Sequence, residues 1–264
     1  MAPDRMQAQR FELKYIIHND TALRIRDFVH GYLDLDEYSA GQPNLSYAVH
    51  SLYLDSDDLR LYWDVINGNR NRFKLRLRYY STDPSSPVFF EIKRRYDNCI
   101  AKQRGAVRQD AVEDLLRGYL PGPEHLVSYN PKNPKGLIAL QRFCHLMSEI
   151  RATPKVHIAY YREAYANNEG TVRLTLDREV RAEPNFHFAI KTEMENPKYS
   201  FIPYVILELK FTDRFPEWFR TLVETFGVMQ RGAAKYCASV QAVGDRALRS
   251  VYPIVKEEEV NAFD

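Results

Sequence analysis

The chain has 264 residues, 45% of them hydrophobic and 27% charged, enough to bury a sizeable core and incompatible with a disordered reading. Its 37 basic and 35 acidic side chains balance to +2, so the totals alone point to no polyanionic partner. Cys99, Cys144 and Cys237, without CxxC or Cys/His clustering, argue against a disulfide framework or structural zinc and fit a reducing, cytoplasmic setting. The N-terminus has no apolar leader, and no run approaches the roughly 18 apolar residues of a membrane helix, so a soluble chain without a span is expected.

In chain order, Phe11-Glu12-Leu13-Lys14-Tyr15 alternates as a strand, and 21–33 carries an apolar stripe of helical period through Leu23, Phe28, Val29 and Tyr32. Ser51-Leu52-Tyr53-Leu54-Asp55 is a second strand, followed by a helix over 57–67. From residue 70 to 79, Arg70, Arg72, Lys74, Arg76 and Arg78 occupy every second position, with Phe73, Leu75, Leu77 and Tyr79 between them. A strand follows at Phe90-Glu91-Ile92-Lys93. Asp110 and Glu113 resemble a capping box for a helix ended by Gly118. The proline-rich 119–135 predicts a loop, and 136–150 a helix. Val172-Arg173-Leu174-Thr175-Leu176-Asp177 and Leu207-Glu208-Leu209-Lys210-Phe211 alternate as strands. Helices are expected over 214–226, with Asp213 as cap and Gly227 as stop, and over 233–249. The acidic stretch 256–264 reads as a solvated tail. Strand patterns of one type on both sides of the 119–135 loop predict a single domain over 1–264, with its core at about 10–245.

Charge is concentrated along the chain. Residues 70–104 hold ten basic and three acidic side chains, a local +7 that leaves −5 for the rest. Alternation puts five cations on one face of a strand, about 7 Å apart at roughly 3.3 Å of rise per residue. An ordinary solvated face would account for one such strand. Five or more strands, each with one apolar and one mixed-charge face, together with several amphipathic helices, predict an α+β fold: a closed antiparallel β-barrel, helices packed outside, and a lumen of Arg, Lys and Glu. Buried cations are costly unless paired, so an anionic ligand such as a chain of phosphates is expected, matched by the planar fork of Arg. Lumen carboxylates are placed to hold a divalent metal. Self-repulsion in the row predicts that removing Arg76 and Arg78 together leaves the ligand-free fold unchanged or more stable.

Among the remaining residues, Arg70 and Arg72 read as the solvent end of the row, and Tyr53 and Asp55 as structural hydrogen bonders. The histidines show no metal-ligand spacing. Tyr160, Tyr161 and Tyr165 read as packing, as do Trp63 and Trp218.

The segments FELKY at 11–15, SLYLDSDDLRLYWDVING at 51–68, KLRLRYY at 74–80, FFEIKRR at 89–95, YYREAY at 160–165, VRLTLDREV at 172–180, ILELKF at 206–211 and AAKYCASV at 233–240 together resemble the VTC domain. That is a polyphosphate polymerase catalytic domain of the triphosphate tunnel metalloenzyme (CYTH-like) superfamily. The resemblance implies a β-barrel tunnel closed at one end by a C-terminal plug helix. It implies a divalent metal, Mn2+ or Mg2+, and transfer of the ATP γ-phosphate onto polyphosphate. By position it implies Lys14, Arg76, Arg78, Lys93, Lys102, Arg104, Arg162, Arg173, Lys210 and Lys235 as phosphate-binding cations. Arg76, Arg78, Lys93, Arg162, Arg173 and Glu208 are the implied catalytic set, with Glu208, Glu12 and Glu91 as metal ligands. The superfamily's ExExK signature is incomplete, because Arg10 stands at the first Glu position. An inorganic triphosphatase hydrolysing tripolyphosphate, or a non-catalytic module binding polyphosphate or nucleotide, fits the same residues. The implied partners are ATP and polyphosphate or triphosphate, not nucleic acid, and any membrane partner is expected on a separate chain.

Overall fold

A computed structural model describes residues 10–249 apart from 98, 188 and 213. The elements run β1 (Arg10–His18), α1 (Asn19–Val29), β2 (Asp34–Leu35), α2 (Glu37–Ala40), β3 (Tyr47–Asp55), α3 (Arg60–Ile66), β4 (Asn71–Tyr79), β5 (Val88–Tyr96) and β6 (Cys99–Val107). They continue with α4 (Val112–Leu116), α5 (Lys135–Glu149), β7 (Thr153–Ala166), β8 (Val172–Pro184), β9 (Lys198–Tyr199), β10 (Tyr204–Thr212), α6 (Glu217–Phe226), α7 (Lys235–Val243) and α8 (Asp245–Leu248). All ten strands join one antiparallel sheet in the order β1-β10-β8-β7-β3-β4-β5-β6, with β2 added to β7 and β9 to β8.

Period-two alternation decides which face is buried. On β4 and β5, Leu75, Leu77, Phe90 and Ile92 point outward under α5, packing with Leu140 and Phe143. On β1 and β10, Tyr15, Leu207 and Leu209 meet Ile25 of α1 and Phe219 of α6. A third cluster joins Leu59 and Tyr62 to Tyr236 and Val240 of α7. Helices α1, α5 and α6 therefore cover the outer face, as the alternation predicts, and the charged faces turn inward, whereas α7 packs on the inner side against Tyr53, Tyr160 and Ile206 and brings Lys235 to the cavity.

The expected closed barrel is not formed by hydrogen bonds. Among the described residues β1 and β6 do not pair. The second edge of β1 is instead taken by the segment leading into α7: Tyr15 bridges Gln230, and Arg231 N–H donates to the Lys14 carbonyl at 3.0 Å. The curled sheet is joined across the opening by side chains, with Lys93 Nζ of β5 at 3.2 Å from Glu12 Oε1 of β1.

Several helix ends differ from expectation for local reasons. The start over 57–67 moves to Arg60, because Leu59 sits in the left-handed region at φ 60°. Asp110 does not cap; its carboxylate is held by Arg108 at 2.6 Å, and a 3-10 turn over Gln109–Ala111 precedes α4. Asp213 lies outside the described residues, and α6 starts after Pro216. The helix expected over 233–249 is split into α7 and α8 at Gly244, where φ is 95°.

Candidate functional site

Strand register assembles the inner face. On β4, Arg72 lies opposite Arg95, Lys74 opposite Lys93 and Arg76 opposite Glu91, while Lys93 also faces Lys102 on β6. On the other wall, Glu12, Lys210 and Arg173 form one cross-strand row, and Lys14, Glu208 and Thr175 the next. Between the walls is a cavity of about 780 Å³.

Of the sequence-predicted site residues, Glu12, Lys14, Arg76, Arg78, Lys93, Arg162, Glu208, Lys210 and Lys235 line this cavity together. Glu91, Lys102, Arg104 and Arg173 are not in its lining. Glu91 is 1% exposed and held between Arg76, at 2.6 Å, and Lys102, at 2.5 Å. Arg104 lies over the Phe89 ring at 4.8 Å, and Arg173 donates to Asp36 at 2.6 Å. The expected trio of metal ligands is therefore divided: Glu12 and Glu208 share one wall, whereas Glu91 is engaged by its own two cations. No group of three His, Cys, Asp or Glu residues is placed to hold a metal ion among the described residues.

Buried carboxylates stay ionised because the cations overcome the cost of burial. Burial raises the Glu208 carboxyl, but Lys210, Lys14, Arg162 and Lys235 together hold it well below the usual carboxylate range. Glu91 is likewise pushed up by burial and drawn down by Arg76, Arg78 and Lys102 to about 2. Among the cations, burial and neighbouring positive charge lower Lys93 to about 8. Burial also lowers Lys102 to about 8, against the pull of Glu91.

Four residues outside the predicted site set belong to this arrangement. Asp177, fully buried, accepts two hydrogen bonds from Arg162 at 2.7 and 2.8 Å, and lies 2.6 Å from Lys235 Nζ. Tyr160 accepts from Arg78 at 3.1 Å and lies under Lys235, 4.8 Å from its ring centre. It is more than packing. Tyr53 accepts from Arg76 at 3.1 Å; burial raises its phenol, but Arg76, Lys74 and Arg78 bring it down to about 8. Lys74, in the charged row but outside the carried-over set, lines the cavity over the Tyr236 ring. The available signal was parity: Asp177 shares the face of Arg173, and Tyr160 that of Arg162. By contrast, Asp55 is structural, as its reading allowed. It accepts from the Leu61 and Tyr62 amides at the start of α3 and from Tyr236 Oη at 2.5 Å, tying α7 to α3.

The VTC domain family model matches residues 9–244, nearly the whole described chain. This chain belongs to the VTC domain family. The vacuolar transporter chaperone complex subunit 4 of Schizosaccharomyces pombe is 24% identical to it over 248 residues, which cover 80% of this chain and 34% of that protein. The VTC domain described here thus spans about a third of that relative's length. A solved structure from Bacillus halodurans described as an adenylate cyclase aligns with a TM-score of 0.47 and 13% identity, covering 87% of this chain and 94% of its own. No helix among the described residues of this VTC domain is long and apolar enough to cross a membrane. His50 and His157 are away from the cavity lining, paired with each other at 3.1 Å in the buried wall.

Proposed function

We propose that this VTC domain is a metal-dependent phosphotransferase that moves the γ-phosphoryl group of ATP onto a polyphosphate chain inside the cavity. The observation that supports this reading is a cavity in which basic side chains outnumber carboxylates, with Arg78 hydrogen-bonded, among the described residues, only to the hydroxyls of Ser51 and Tyr160. An anion bearing several charges supplies what the protein does not. Arg76, Arg78 and Arg162 offer planar donors for phosphate oxygens, while Lys14, Lys93, Lys210 and Lys235 act as point charges.

Glu12 and Glu208 are close enough for each charge to be felt by the other. Two carboxylates fit a hard divalent ion such as Mn2+ or Mg2+, whose remaining ligands are water and phosphate oxygens. When bound there, the ion would offset negative charge on those oxygens. Phosphoryl transfer proceeds through a loose transition state, so the chain's own groups contribute mainly orientation and charge stabilisation. The attacking terminal phosphate of the acceptor is already ionised at neutral pH, so no general base is required.

Pure protein incubated with ATP and manganese is expected to form long phosphate chains on a gel, and Glu208→Gln to abolish them. Release of free phosphate alone would favour a triphosphatase. Binding without any turnover would favour a non-catalytic module.

A further inference from the structure

Strand β8 carries one residue more than β7 between two paired positions. Tyr161 lies opposite Arg178 and Ala159 opposite Arg181, so Glu179 and Val180 together stand where β7 has only Tyr160. Glu179 sits in the left-handed region at φ 51°, a conformation unfavourable for a glutamate and kept only where the surroundings impose it. A β-bulge of this kind changes the face that the following side chains take. In unbroken alternation Arg178 and Arg181, three residues apart, would point to opposite faces. The bulge puts both on the outer face of the sheet, beside Tyr161 and Glu163 and outside the cavity lining.

The two guanidinium groups there are short of acceptors. Glu163 of β7, fully buried, accepts two hydrogen bonds from Arg26, each 2.7 Å, one from Tyr165 Oη at 2.5 Å and one from Arg178 Nη1 at 2.6 Å. A carboxylate offers about four acceptor positions, so none is left for the rest of Arg178. Its Nη2, shielded from solvent, has no hydrogen-bond partner among the described residues. Arg181 is held more loosely still. Its guanidinium lies over the Tyr161 ring at 4.9 Å, Nη2 reaches the Tyr161 hydroxyl at 3.5 Å, and Nη1 is 3.9 Å from the exposed Glu179 carboxylate. Three arginines, Arg26, Arg178 and Arg181, thus face one saturated carboxylate and one distant, solvated one.

We propose that Arg178 and Arg181, with the Tyr161 hydroxyl between them, bind inorganic phosphate on the outer face of the sheet, at a site separate from the cavity. The ligand class follows from the donors. Two planar forks and a hydroxyl present N–H and O–H groups from several directions, which a tetrahedral oxyanion accepts and a flat carboxylate uses less fully. An anion seated over Tyr161 supplies Arg181 with an acceptor and draws the Arg178 guanidinium outward, giving Nη2 the partner it lacks. The strained bulge then has a role: it turns Arg181 to the face on which Arg178 already stands. Such a site is independent of what the cavity binds.

Nuclear magnetic resonance of the full chain carrying isotope-labelled arginine reads this site separately from the cavity. The Nε–H signals of Arg178 and Arg181 are assigned by their loss in Arg178→Gln and Arg181→Gln, and inorganic phosphate is titrated at constant ionic strength and pH. Both signals are expected to shift along one saturating curve with a dissociation constant in roughly the millimolar range, the scale of two charge-assisted contacts. Arg181→Gln should weaken the response of Arg178 by roughly tenfold or more, and Tyr161→Phe by a smaller factor. Lys14→Gln/Arg78→Gln, which alters the cavity alone, should leave both curves unchanged. Thermal melting in phosphate-free buffer establishes that each variant folds; Glu163 keeps Arg26 when Arg178 is replaced. Signals that stay still, or drift linearly without saturating, overturn the site, as does a parental Arg178 curve in folded Arg181→Gln. Loss of the response in the cavity variant overturns it too, by assigning the phosphate to the cavity.

Discussion

Arg76 and Arg78 are two residues apart on one face of β4 and have different energetics. Arg76 is tied to Glu91, which is 1% exposed; removing it leaves that carboxylate to Lys102. Breaking a buried ion pair costs about 3–5 kcal/mol, and the remaining lysine reduces this, so Arg76→Ala should destabilise the ligand-free protein by roughly 2–4 kcal/mol. Among the described residues Arg78 is hydrogen-bonded only to hydroxyls and makes no direct ion pair, so Arg78→Ala removes two neutral contacts and a through-space attraction to Glu91 that Arg76 and Lys102 continue to supply. Its cost should stay within about 1 kcal/mol, because the lost hydrogen bonds and the relieved repulsion oppose each other. Urea unfolding of the two single variants measures the difference. Equal stabilities would sink the pairing argument. The expectation from self-repulsion, that both arginines can be removed without loss, therefore applies to Arg78 alone. The strand pattern places both cations inward but does not say which carboxylate reaches which.

Among the elements, α5 lies close against β5 and β6, and Gly105 is where that approach is tightest. A Cβ at this position would sit 2.9 Å from the Gly136 carbonyl oxygen and 3.1 Å from Leu140 Cβ. The first neighbour is backbone and cannot swing away, so Gly105→Ala must shift α5 or β6. Overpacking of this kind costs about 1–3 kcal/mol, readable as a lower urea midpoint with an unchanged slope. Ala substituted at Gly136, where a Cβ meets nothing within 4 Å, should not show this effect and serves as control. Within the KQRGAV stretch, the glycine is set by helix packing on the outer face, whereas Lys102 reaches the inner carboxylate Glu91.

For the whole molecule, the lumen charges make stability and ligand affinity respond oppositely to alkaline pH. Lys93 and Lys102 fall from an ordinary 10.5 to about 8 in the fold, and Tyr53 from 10.0 to about 8. Between pH 8 and 10 the unfolded chain therefore binds more protons than the native one at these groups, so their contribution to ligand-free stability rises with pH. Over the same window the cavity loses positive charge, and anion affinity should fall. On the acid side Asp177 and Glu91 titrate near 2 instead of 3.8 and 4.5, so the stability they contribute is complete above about 4.5 and is lost as pH falls toward 2. Melting curves with and without tripolyphosphate from pH 7 to 10 test the alkaline behaviour. The ligand-induced increase in melting temperature should shrink steadily as pH rises; a constant increase would count against a cation-driven site.

By itself the sequence determined which faces are apolar, which strands carry inward charge, and which family the segments resemble, because period-two alternation is local and survives without coordinates. The same locality explains why Lys14, Arg76, Lys93 and Glu208 could be named in advance as facing one lumen. The tertiary structure decided what locality cannot encode. It gave the second edge of β1 to residues 230–231 rather than to β6, so the sheet curls without hydrogen-bonded closure. It also decided which charges pair, joining Asp177 to Arg162 and Lys235 and Glu91 to Arg76 and Lys102, while Lys74 has no ion pair among the described residues. These pairings depend on register between strands distant in the chain, and one residue of slip would reverse every side chain on a strand.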